Sequence, residues 1–214
     1  MKLNKDESIL DAARLAINSL EKDPLVQQKM STYGFTAARV KEGKSLLSSA
    51  VRSQQQKDQH YSTQWTLSQQ ISEQLAAVQE QFRDHLRVAR IAFRKQPAVL
   101  HSLKTQRIAP KGWPCVRQAA HFYQQIQSQK LSLSGYEVSA KVLQRAAAET
   151  TALLELRTER YRQKGLAESS TESKNQAFAA LRNWVSECRS IARIALKDDP
   201  QRMEGFGMVV KVGV

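Results

Sequence analysis

Apolar residues in this chain recur every three or four positions rather than every second one. Leu75, Val78, Phe82, Ala89, Ala92 and Phe93 keep that spacing, and so do Val138, Val142, Ala146, Leu153 and Leu156. Such a period predicts helices that each bury one face. The residues between them are mostly Ala, Gln, Glu, Arg, Leu and Lys, all good helix formers. Glycine occurs 8 times and proline 5 times in 214 residues, so breakers are scarce and long segments run uninterrupted. The pattern predicts helices over about 6–21, 24–31, 35–61, 65–95 and 97–104 in the first half. Asp23-Pro24 reads as an N-cap followed by a proline at the first helical position. Gly34 reads as the left-handed stop after Tyr33. Rods of about 27 to 31 residues are about 40–46 Å long. The polar stretch 52–70 has Tyr61, Trp65 and Leu67 as its large apolar residues. It is expected to be the solvated tip of a long helical hairpin.

The second half repeats the plan. Residues 89–97 read Ala-Arg-Ile-Ala-Phe-Arg-Lys-Gln-Pro, and 192–200 read Ala-Arg-Ile-Ala-Leu-Lys-Asp-Asp-Pro, with five of nine identical at an offset of 103. Leu100 and Leu103 match Met203 and Phe206 at the same offset. Gly34-Phe35 matches Gly135-Tyr136 at 101, and the polar segment 166–175 is expected to be an interhelix turn that absorbs the difference. Ala13, Ala16, Ile17 and Leu20 align with Ala119, Phe122, Tyr123 and Ile126. The expected fold is therefore all-α, with tandem duplicated antiparallel helical bundles built on long helices. Its parts are a first bundle over 1–104, a joint over 105–114, a second bundle over 115–206 and a valine-rich tail over 207–214. Two prolines and a glycine in the joint prevent one continuous helix there. One merged bundle of six long helices is the alternative.

The two Ala-Arg-Ile-Ala motifs with their following prolines, together with Gly112-Trp113 and the downstream His121-Phe122-Tyr123, resemble a family of uncharacterised, internally duplicated, all-helical bacterial proteins. The resemblance covers most of the chain and implies a fold without an activity. The valine-rich end departs from the family pattern.

Composition narrows the classes. Apolar residues at 41% and charged residues at 25% are ordinary globular usage. No apolar run approaches the length of about 20 residues that spans a bilayer, and the first residues have no apolar core of a secretory leader. Cys115 and Cys188 stand far apart, which fits a reducing cytoplasm better than a disulfide scaffold. The net charge of +13 is distributed along the whole chain and favours polyanionic or acidic partners in general.

Several chemistries have no support. None of His60, His85, His101 and His121 belongs to a His-Glu-x-x-His motif, and no Cys-x-x-Cys, phosphate-binding glycine loop or Gly-x-Ser-x-Gly elbow occurs. No enzyme, cofactor or metal is therefore expected. His85 and Cys188 occupy matching positions, and the reading preferred for them is a core layer, since a free cysteine behaves as a small hydrophobe. A catalytic alternative would gather His85, Trp113 and Cys188 at the joint. Trp65, Trp113 and Trp184 are expected at apolar faces, in core or joint packing.

The charged positions with a pattern are Arg83, Arg87, Arg90 and Arg94, at helical intervals of 4, 3 and 4, and Arg182, Arg189, Arg193 and Lys197 on the matching helix. They are the candidate partner- or polyanion-binding residues, against the ordinary alternative of a solvated face. The function expected is a non-enzymatic cytoplasmic scaffold that binds a protein partner or a second copy of itself. The alternative is sequence-independent nucleic-acid binding through the basic faces.

Overall fold

The computed structural model describes residues 5–208. Helices α1 (Lys5–Lys22), α2 (Pro24–Ser31), α3 (Ala37–Ala92), α4 (Pro97–Ser102), α5 (Trp113–Ser128) and α6 (Ala140–Ala195) follow one another, the longer connections lying on either side of α5, with 3-10 turns at Ser134–Tyr136 and Pro200–Phe206. Among the described residues there is no strand, only one isolated bridge between Leu133 and Val138. The chain is all-helical, as the apolar period predicts. From Val209 onward the valine-rich tail lies outside the described residues.

The caps are those the sequence encodes. Asp23 Oδ1 accepts from the amides of Leu25 (3.0 Å) and Val26 (3.2 Å), and Pro24 opens α2. Gly34 adopts φ +88°, where a side chain would be strained.

The hairpins are not there. Residues 35–61 and 65–95 were expected as two helices, yet α3 runs through the polar 52–70 stretch without a break, and α6 runs through 166–175. No glycine or proline lies between Gly43 and Pro97, so nothing stops α3. Gly165 sits inside α6 with open space where a Cβ would be. The two long helices have 56 residues each and begin and end 103 positions apart. The two-residue difference therefore falls before them, not at 166–175. Two residues separate Gly34 from α3 and four separate Gly135 from α6, where Glu137 takes a left-handed turn (φ +63°).

The chain forms two compact units, Met1–Tyr61 with Leu166–Val214, and Ser62–Gly165. These lines differ from the expected consecutive bundles over 1–104 and 115–206: each unit combines the first part of one long helix with the last part of the other.

In the first unit the small face of α1 (Ala12, Ala13, Ala16, Ile17, Leu20) joins Val26, Met30 and Phe35 and the α6 residues Phe178, Leu181, Trp184, Val185, Cys188 and Ala192 in one core. Trp184 lies against the backbone of Gly43, and its indole Nε1 donates to the Arg39 carbonyl at 3.0 Å. Across the same helix pair Arg39 pairs with Glu187. The turn Pro200–Phe206 is held by polar contacts. Asp23 pairs with Arg202, Lys29 pairs with Asp199, and Ser19 Oγ donates to the Gly205 carbonyl at 2.8 Å. Phe206 is fully buried beneath them.

In the second unit Phe82, Leu86, Ala89 and Phe93 of α3 pack with Cys115, Ala119, Phe122, Tyr123 and Ile126 of α5, Leu143 and Ala146 of α6, and Leu103. A smaller cluster joins Ile71, Val78, Val116 and Leu153. The segment before α5 is pinned by one side chain. Gln118 accepts from the Ala109 amide (2.7 Å) and donates to the carbonyls of Lys104 (2.8 Å) and Arg107 (2.7 Å). The residue pairs at offset 103 are buried alike: Val78 and Leu181, Phe82 and Val185, Ala89 and Ala192, Phe93 and Leu196, Leu103 and Phe206.

Candidate functional site

The basic residues of the two rows fall in both units. Four of them (83, 87, 90, 94) belong to the second unit and four (182, 189, 193, 197) to the first. Arg83 is half-buried beside Cys115, whose thiol is pushed up by burial against the pull of that guanidinium. Arg87 is exposed and pairs with Asp84 at 2.8 Å. Arg90 donates from Nε to the Thr105 carbonyl at 2.8 Å, and Arg189 donates from Nε to the Phe206 carbonyl at 2.9 Å. Both arginines fasten the chain that returns after a long helix, which is an internal role. Arg94, Arg182, Arg193 and Lys197 are exposed.

Within this basic surround the last turn of each long helix carries an isoleucine in water. Ile91 is 54% exposed and Ile194 is 55% exposed. They are the third residues of the two Ala-Arg-Ile-Ala motifs, where Ala89 and Ala192 turn inward and are fully buried. Ile91 has Arg87, Arg90 and Arg94 within one turn, and Ile194 has Arg193 and Lys197.

His85 and Cys188 lie in different units. His85 is buried with Nδ1 3.0 Å from the hydroxyl of Tyr123, whose ring in turn meets Phe82 and Phe122. Burial holds its imidazole below the ordinary range and pushes the Tyr123 phenol up. Cys188 is fully buried in the first core, and desolvation pushes its thiol up to about 12. Both residues therefore sit in core layers, each in its own unit.

The tryptophans separate. Trp184 is core. Trp113, half-buried at the start of α5, packs with the Ile71 cluster, and the Arg157 guanidinium lies 4.5 Å from its ring centre. Trp65, expected at an apolar face, is 66% exposed. One turn further along α3 the Ser68 hydroxyl receives Arg160 Nε at 2.8 Å. Next to Arg160, Tyr161 is 56% exposed, with Arg157 also over its ring at 5.6 Å. A hydrogen bond from Arg157, with the charges of Arg157, Arg160 and Lys164, draws the Tyr161 phenol below its ordinary range. This aromatic and basic face was not singled out from the sequence. Arg157, Arg160, Tyr161 and Lys164 do share helical spacing, but the exposure of Trp65 had no local signal.

On α3 and α6 of the second unit, a groove of about 790 Å³ is lined by Glu73, Glu80, Asp84 and Glu149 with Arg145. Among the described residues no group of three or more His, Cys, Asp or Glu side chains is placed to hold a metal ion. No helix among them is long and apolar enough to cross a membrane. No family model, curated protein or solved structure matches this chain.

Proposed function

We propose that the chain is a non-enzymatic helical scaffold that binds a protein partner, or a second copy of itself, through apolar knobs set among cations. The observation that carries this reading is the pair Ile91 and Ile194, exposed to the same degree at the same place in the two Ala-Arg-Ile-Ala motifs. Burying the exposed half of one isoleucine against a partner is worth about 1–1.5 kcal/mol. Two identical knobs on one chain suit a repeated or symmetric partner, because the second contact follows the first at high effective concentration. The flanking arginines favour an acidic rim on that partner.

We also infer an internal duplication with exchanged arms. Its support is the equal length of α3 and α6, the constant offset of 103, the matched burial and the make-up of the two units. The cross-helix pairs 39 with 187 and 43 with 184 rise on α3 as they fall on α6, which favours antiparallel packing. Two buried, unpaired thiols suit a reducing compartment such as the cytoplasm.

The test is light scattering after size exclusion, with the wild type and Ile91→Glu/Ile194→Glu compared at several concentrations and with any co-purified partner. The wild type is expected as a defined oligomer or complex that the double variant loses while it stays folded. A wild type that is strictly monomeric and without a partner, or a double variant that associates equally well, overturns the proposal.

A further inference from the structure

A second surface, separate from the isoleucine knobs, has a different chemistry. Its residues all lie in the second unit, where the Ser68–Arg160 bond joins α3 to α6; Trp65 lies one turn before Ser68 and Tyr161 directly follows Arg160. An indole this exposed adds nothing to a core, since Leu67 and Ile71 already fill the buried side of this part of α3. The cations beside it are arranged. Arg160 is fixed by Ser68, and Arg157 is held over both Trp113 and Tyr161. Residues 157–164 contain four basic side chains and one carboxylate, Glu159, which Arg162 neutralises through two bonds of 2.7 Å. This stretch thus offers exposed flat rings together with positive charge.

We propose that this face binds single-stranded nucleic acid, with bases stacked on Trp65 and Tyr161 and phosphates paired with Arg157, Arg160 and Lys164. A single strand fits this chemistry better than a duplex, because its bases are free to leave the stack and every base has a π-face for an aromatic platform. An acidic polypeptide would use the cations but leave both rings idle. The surface lies on residues other than the sequence-predicted arginines at 83–94 and 182–197, and it does not depend on the isoleucine knobs.

The experiment is fluorescence anisotropy of the 214-residue chain with labelled oligo(dT), oligo(U), a duplex of mixed sequence and polyglutamate as competitor. Measurements start at about 50 mM salt, where phosphate attraction is strong. The single strands are expected to bind with a log K against log salt slope of about −2 for three phosphate contacts. Trp65→Ala/Tyr161→Ala is expected to weaken them about thirtyfold or more, the loss of two stacked bases, with circular dichroism unchanged. Ile91→Glu/Ile194→Glu is expected to leave this binding intact, which keeps the two proposals distinguishable. The inference is overturned by no single-strand binding at low salt. It is equally overturned by undiminished binding in the aromatic double variant, or by polyglutamate displacing the oligonucleotide as well as unlabelled single strand does.

Discussion

Replacing glycine by alanine inside a helix ordinarily stabilises it by about 1 kcal/mol. The two long helices hold one glycine each, and the expected outcomes have opposite signs. At Gly165 a Cβ meets nothing within 4 Å, so Gly165→Ala is expected to gain about 0.5–1 kcal/mol from the unfolded chain's reduced freedom. At Gly43 the added methyl would stand 2.5 Å from Trp184 Cε2 and 2.7 Å from Cη2, well inside van der Waals contact. The indole cannot retreat cheaply. It is buried, it packs 5.6 Å from the Phe35 ring, and it donates to the Arg39 carbonyl. Overpacking costs about 1–3 kcal/mol, and losing the indole hydrogen bond costs about 0.5–1.5 kcal/mol. Set against the helical gain, Gly43→Ala is expected to lose about 1–3 kcal/mol. Urea unfolding followed by far-UV circular dichroism measures both variants, and a red-shifted tryptophan emission would report a displaced Trp184. If Gly43→Ala were as stable as Gly165→Ala, the close seating of Trp184 on α3 would be wrong.

Two other expectations come from the cores. Cys115 and Cys188 are buried and their thiols are raised, so a disulfide-exchange reagent should find almost no reactive thiol in the native protein and two after denaturation. Cys188→Ala should cost about 1–2 kcal/mol and remove no activity, because the sulfur acts as packing; fast native reactivity would contradict this. His85 is buried neutral below its ordinary value of about 6.5. Its unfolded form therefore takes up a proton first as pH falls. The stability it supports is complete above about pH 6.5 and is lost as pH drops through that value toward the lower folded one. The urea midpoint should fall between pH 7.5 and 5.5, and fall less in His85→Gln; equal pH dependence in the two proteins would refute the assignment.

What could be read from the sequence was local. Asp23-Pro24 and Gly34 do as their chemistry requires, and the aligned positions Ala13, Ala16, Ile17, Leu20, Ala119, Phe122, Tyr123 and Ile126 are all buried, while Ala12, Cys115 and Val116 join them without having stood out in the sequence. What could not be read was where a long amphipathic segment goes. A helix that turns back on itself and one that runs on bury the same face, so the period of 52–70 is identical in both cases. Only a breaker distinguishes them, and a shortage of apolar residues is not a breaker. Gly165 beside the Ser-rich 166–175 stretch carried the same ambiguity, and the helix tolerates it because good helix formers surround it. The basic positions were legible as a pattern but not as a role. Arg90 and Arg189 are separated from the carbonyls they hold by 15 and 17 residues of chain, a distance that helical spacing does not address. Trp65 illustrates the remaining limit, since its exposure depends on which neighbour covers each face of α3.

The composition of the two units bears on synthesis. A ribosome makes α1 well before α6, yet the α6 residues that share a core with Ala13, Ala16 and Ile17 lie beyond position 177. The unit spanning Ser62–Gly165 is contiguous in sequence and has all its parts once position 165 has left the exit tunnel. The Ser62–Gly165 unit can thus be completed before α1 meets its α6 cover, and α1 stays unprotected until that part of α6 emerges, open to chaperones or to a neighbouring nascent copy.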